Sequence, residues 1–139
     1  MKQSSFLHHS VFVSRTKKMG LGVFAKDDIE EGTLIETSPV IVMSAEDRKS
    51  IDQTLLHDYI FEWGEDRKSC AMALGYVPLY NHSYASNCEY EMEFKKRRIT
   101  IKTVRRIKKG EELFINYNGE WNSEKKVWFE TNDFSSPLD

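Results

Sequence analysis

Three short segments carry side chains that could do chemistry together. Tyr80-Asn81-His82-Ser83 sets a phenol, a carboxamide, an imidazole and a hydroxyl in a row, with Asn87 four residues on. Taken alone, this is a turn in which Asn81 and Ser83 bond nearby backbone. His82 has no carboxylate in its neighbourhood, so it is a poor general base. Gly110-Glu111-Glu112-Leu113-Phe114-Ile115-Asn116-Tyr117 reads as a turn and a strand ending in an aromatic hydroxyl. The ordinary fate of such a tyrosine is half-burial in packing. Gly20-Leu21-Gly22 can bring main-chain atoms close to a ligand, because glycine has no Cβ. It lacks the third glycine, the following helix and the acidic partner of a dinucleotide fingerprint.

Composition narrows the classes. A chain of 139 residues with 40% hydrophobic content suits one domain with a core of its own. Charged residues make up 30% and nearly cancel to −2, which gives no broad field for nucleic acid or an anionic membrane. No apolar run approaches the roughly 20 residues needed to span a bilayer. Residues 1–9 lack the apolar stretch of a secretory signal, so a soluble, intracellular protein is expected. Cys70 and Cys88 are read as two reduced, buried thiols. Four histidines without H-x-x-x-H spacing point to no metal.

The elements that must position these segments are mostly short strands. Order is expected to open at Val11-Phe12-Val13, with Gly22 to Ala25 after the glycine turn. Thr33 to Glu36 and Pro39 to Met43 read as two strand segments, and Ser44 with Asp47 as a helix start over Ala45 to Ser50. Irregular chain follows, then a hairpin of Tyr59–Trp63 and Ser69–Leu74 around a polar loop. The clearest alternation is Cys88 to Phe94, with Cys, Tyr, Met and Phe on one face and three glutamates on the other. Lys95-Lys96-Arg97 turns it back into Arg98 to Val104, placing glutamates opposite basic residues. For the basic runs Lys95–Arg98 and Arg105–Lys109 a solvated turn is the preferred reading and a nucleic-acid patch the alternative. No internal repeat is apparent. The expected organisation is an arm over 1–10, a mostly β domain over 11–119, and an aromatic tail over 120–139 with a frayed end.

In this order, the three segments resemble the SET domain, the fold of most protein lysine methyltransferases, over Val11 to Gly119. The resemblance implies a β-clip type fold of small sheets with a knot-like crossing near its C-terminal end. It implies S-adenosylmethionine as cofactor, held by Met19, Gly20, Leu21, Asn81, His82 and Tyr117, with Tyr117 catalytic. Anchoring by an amide and main-chain groups suits such a polar ligand. The family pattern Asn-His-Ser-Cys-x-Pro-Asn departs here at Tyr84 and Ser86, and the aspartate often preceding the tyrosine is Asn116. Ile115 stands where an aromatic often helps to set the number of methyls added. No cysteine-rich zinc cluster follows Tyr117, so the aromatic tail is the expected substitute wall. Tyr76, Tyr80, Ile115 and Trp121 are the channel candidates, with Trp128 and Phe129 behind them.

The implied activity is transfer of a methyl group to a protein lysine ε-amine. Stand-alone SET proteins occur in bacteria and viruses, which leaves histones, histone-like proteins and unrelated substrates open. A SET-fold binding module without turnover is the main rival; a β-rich nucleic-acid binder is a third reading, disfavoured by the acidic net charge. A homodimer is compatible with the sequence. The expected location is cytoplasmic, or nucleoid or nuclear if the substrate is chromatin.

Overall fold

The computed structural model describes residues 5–117 as ten strands, one α-helix and two 3-10 turns. The strands are β1 Phe6–Leu7, β2 Val11–Arg15, β3 Leu21–Ala25, β4 Leu34–Met43, β5 Phe61–Trp63, β6 Ser69–Ala73, β7 Asn81–His82, β8 Cys88–Glu93, β9 Arg98–Thr103 and β10 Glu112–Ile115. They form two small sheets. One runs β5-β6-β4-β9-β8 with β1 added against β4, and the other runs β2-β3-β10-β7. The mostly β expectation is met.

The β8–β9 hairpin shows why alternation is a reliable signal. Cys88 is fully buried, and Tyr90 and Met92 pack on the same core. On the outer face Glu89 lies opposite Lys102 and Glu93 opposite Arg98, the latter pair 3.0 Å apart. The turn of Phe94 to Arg97 closes it, with the Arg97 N–H on the Phe94 carbonyl. Core side chains such as Ile99, Ile101, Leu113 and Val23 each contribute about 1.5–3 kcal/mol by leaving water. The helix α1 Ala45–Ile51 begins where its cap predicts: the Ser44 hydroxyl accepts from the Asp47 N–H at 3.0 Å.

Four expectations change. Ordered pairing begins before Val11, because Phe6 and Leu7 pair with Thr37 and Glu36. The two segments around Pro39 are one ten-residue strand. Leu34 to Pro39 pair with β9 and Val40 to Met43 with β6, so the residue without an N–H sits where the partner changes. Leu55–Tyr59, read as irregular chain running into a strand at Tyr59, is a 3-10 turn capped by Thr54, and β5 starts only at Phe61. Finally, a short internal likeness exists. Asp28-Ile29-Glu30-Glu31-Gly32 and Arg106-Ile107-Lys108-Lys109-Gly110 are two turns of the same pattern and opposite charge. They meet through reciprocal bonds of 2.8 Å between the main chains of Ile29 and Ile107. Arg106 reaches Asp28 at 2.8 Å and Glu30 at 3.4 Å, which gives part of the basic run Arg105 to Lys109 protein partners.

Candidate active site

The site is built around β10, which lies between β3 from the start of the domain and β7 from its middle. β10 runs antiparallel to β3 and parallel to β7, with Phe114 beside Asn81 and Ile115 beside His82. Asn87 secures it with both ends of its carboxamide. Its Nδ2 donates to the Glu112 carbonyl at 2.8 Å, and its Oδ1 accepts from the Phe114 N–H at 2.8 Å. At 1% exposure this is a buried side chain standing in for a strand partner. Asn81-His82 is thus a strand rather than the plain turn that its residue types suggest.

Asn81 ties three segments together. Its Nδ2 donates to the Leu21 carbonyl at 3.0 Å and to Glu112 Oε2 at 2.7 Å. Gly22 makes room for this junction. A Cβ there would run into the Glu112 carboxylate and lie 2.9 Å from Thr16 Cγ2 and 3.1 Å from Asn81 Nδ2. The turn before it is held by the Thr16 N–H on the Gly20 carbonyl at 2.6 Å and the Met19 N–H on Thr16 Oγ1 at 2.7 Å. Met19 and Leu21 present exposed side chains there. Burial raises the Glu112 carboxyl above its ordinary value, opposed by the Asn81 bond.

Tyr117 follows directly. Its N–H donates to His82 Nδ1 at 3.1 Å, which leaves the proton of a neutral imidazole on Nε2. Its hydroxyl donates to the Tyr80 carbonyl at 3.0 Å. The His82 ring packs against Tyr117 at 5.1 Å and edge-on to Tyr84 at 4.4 Å. Tyr84 therefore fills volume beside the imidazole, and the Ser86 hydroxyl closes its turn on the Cys88 carbonyl at 3.0 Å. Although Tyr117 as a residue is 39% exposed, its hydroxyl faces inward. Burial, with Asp58 and Glu112 adding negative charge, pushes that hydroxyl up to about 12. It is a neutral donor at neutral pH, not a base.

Tyr117 lies on a cleft of about 900 Å³ whose aromatic lining includes Tyr59, Phe61, Tyr90 and Phe94. Its rim carries Asp58, Glu62 and Glu91 beside Arg48 and Arg67. Burial pushes the Tyr90 phenol to about 12 as well, and its hydroxyl donates to the Tyr117 carbonyl at 3.3 Å.

The expected site residues divide accordingly. Asn81, His82, Tyr117, Gly20 and Leu21 come together, with Met19 at the turn. Tyr80 adjoins the cleft, but its ring is buried and its hydroxyl donates to Glu36 Oε1 at 2.8 Å. Tyr76 lines a separate depression beside Phe6 and Leu7, and Ile115 is wholly buried in the core. Trp121, Trp128, Phe129 and the tail over 120–139 lie outside the described residues. Sequence reasoning did not nominate Gly22, Asn87, Glu112 or Glu36. Gly22 and Glu112 stood inside the quoted segments and Asn87 just after one of them; nothing local marks either carboxylate for burial.

A β fold with an asparagine–histidine strand parallel to a strand that leads into Tyr117 defines the class. The SET domain family matches residues 20–118, and this chain belongs to that family of protein-lysine methyltransferases. It is 34% identical over 116 residues to the H3 lysine-37 specific histone-lysine N-methyltransferase of Schizosaccharomyces pombe. That match covers 83% of this chain and 74% of the relative. It is also 34% identical to histone-lysine N-methyltransferase trr of Drosophila melanogaster over 78% of this chain, and 32% identical to human histone-lysine N-methyltransferase 2D over 84%. The chain spans only 5% and 2% of those two proteins. In fold it resembles a crystal structure of a candidate histone methyltransferase from Plasmodium falciparum. The TM-score is 0.60 at 24% identity, covering 83% of this chain and 98% of the other.

Proposed function

We propose that this chain transfers methyl groups from S-adenosylmethionine to a lysine ε-amine of a histone. The observation that carries the reading is the seating of Tyr117 between β7 and the aromatic cleft, with its hydroxyl on the Tyr80 carbonyl. The cofactor, when bound, supplies the methyl group. The residues present fit it: main chain at Met19 to Leu21, the glycine cradle at Gly22, and the neutral polar pair Asn81 and His82 beside Glu112. A half-buried carboxylate and an amide suit a zwitterionic, cationic ligand.

A free lysine amine has a pKa near 10.4, so it arrives protonated and must lose its proton before it can attack. Desolvation among Tyr59, Phe61 and Tyr90 disfavours the ammonium form and excludes water. The acidic members of the rim attract a basic peptide. Tyr117 keeps its own proton, so its part is alignment of the reacting groups rather than proton abstraction. The histone names of the relatives favour a chromatin location over the cytoplasmic one.

The test is transfer of labelled methyl to core histones, bacterial DNA-binding proteins and the protein itself, with Tyr117→Phe in parallel. Label on a histone lysine that vanishes in the variant is the expected result. Cofactor binding without transfer to any of the panel would replace the enzyme with the binding-module reading.

A further inference from the structure

Glu36 is a carboxylate that the chemistry above does not use. It lies in β4 at 2% exposure, with the apolar residues Leu7 and Ile101 as its register partners. Its Oε2 accepts from the Tyr76 N–H at 2.8 Å, the Val77 N–H also bonds it, and its Oε1 accepts from the Tyr80 hydroxyl at 2.8 Å. Gly75 permits this approach. Its φ is +82°, and a Cβ there would run into Glu36 Oε2. A buried carboxyl is costly unless it is well bonded, so a fold that retains one has a use for it or loses stability for nothing.

The use is visible in what the carboxylate holds. It fixes both ends of the segment that contains the 3-10 turn Val77–Leu79: the amides at its start and the phenol of Tyr80 at its end. The carbonyl of that same Tyr80 is the acceptor for the Tyr117 hydroxyl, and Asn81 and His82 come next in the chain. The geometry points to Glu36 as a positioning residue of the active site: by holding Tyr80 and the turn before it, Glu36 sets where the Tyr117 hydroxyl points. The structural link stands by itself; its catalytic consequence rests on the methyltransferase reading.

The charge state matters because main-chain N–H groups cannot accept. A protonated carboxyl carries an O–H of its own, and placing it on Oε1 turns the Tyr80 bond around or weakens it. Burial holds the Glu36 carboxyl at about 7, so both forms are populated near neutrality. The ionisable side chain bonded to it is the phenol of Tyr80, kept well above its ordinary value by burial and by Glu36, while Tyr76 meets it through its N–H. From β1 and β9 it meets Leu7 and Ile101. His8 follows the β1 pair, and Lys102, next in β9, points to the other face of the sheet.

Two measurements test the link. In the first, the protein carries ring-labelled tyrosine, and the Tyr80 and Tyr117 signals are followed from pH 5.5 to 8.5 without substrate. Both are expected to shift with a common midpoint near 7 in the wild type and to stay flat in Glu36→Gln. A Tyr117 signal that ignores the Tyr80 midpoint overturns the proposal. In the second, kcat and KM are measured against pH. Glu36→Gln and Tyr80→Phe are each expected to lower kcat by about 3- to 30-fold with little change in KM for the peptide, and to remove an acid limb near 7. A wild-type kcat and an unchanged limb in both variants would also overturn it. Absence of methyl transfer in the wild type refutes the proposed function, while the tyrosine titration still decides the link.

Discussion

The hydroxyl of Tyr117 donates to the main-chain carbonyl of Tyr80 across 3.0 Å, 37 residues apart in the chain. One end of Tyr80 therefore accepts the Tyr117 hydroxyl while the other end is held on Glu36 in the core. Removing that hydroxyl in Tyr117→Phe should cost only about 1 kcal/mol of stability, because one partly buried bond is lost. The rate of methyl transfer should fall on the order of 100-fold, the scale seen when one oriented donor is deleted. Thermal melting and labelled-methyl kinetics on the same preparation check both; a fully active variant would remove Tyr117 from the mechanism.

Asn81→Ala should weaken S-adenosylmethionine affinity by about tenfold or more, because Asn81 holds both the Leu21 carbonyl and Glu112. Gly22→Ala should act on the same junction by crowding Thr16 and Asn81. Calorimetric titration of the cofactor into each variant measures this. Wild-type affinity in both variants would move the cofactor site elsewhere.

Asn87→Ala is a test of architecture rather than chemistry. It strips the Glu112 carbonyl and the Phe114 N–H of their bonds at a buried position, so a loss of roughly 2–4 kcal/mol is expected in urea unfolding. A change under about 0.5 kcal/mol would mean that β10 is held by its strand neighbours alone.

Stability should depend on pH through Glu36. Its carboxyl is raised from 4.5 to about 7 in the folded protein, so the folded state binds the proton more tightly than the unfolded chain. The stabilisation linked to that proton is complete below about 4.5 and lost as pH rises through about 7. The total is on the order of 3 kcal/mol, since each pH unit between the two values weighs at most about 1.4 kcal/mol. Unfolding free energies of wild type and Glu36→Gln between pH 5 and 8 should diverge in slope by up to one proton. Parallel slopes would show that Glu36 titrates as it does when unfolded.

Much of the fold is legible because it depends on short-range order. The β8–β9 hairpin follows from period-two alternation and a basic turn, and α1 from a serine cap with its bond three residues on. The asparagine–histidine, glycine and tyrosine segments are equally local patterns, and together they identify the family. Only the tertiary structure decides what joins them. Asn81 meets Leu21 and Glu112 across 60 and 31 residues, and Glu36 meets Tyr80 across 44. In the sequence, Glu36 and Glu112 look like any strand glutamates facing water. Whether a carboxylate is buried, and so holds its proton more tightly than usual, depends on which distant segments fold over it and which donors they bring, and neither is written in its own neighbours.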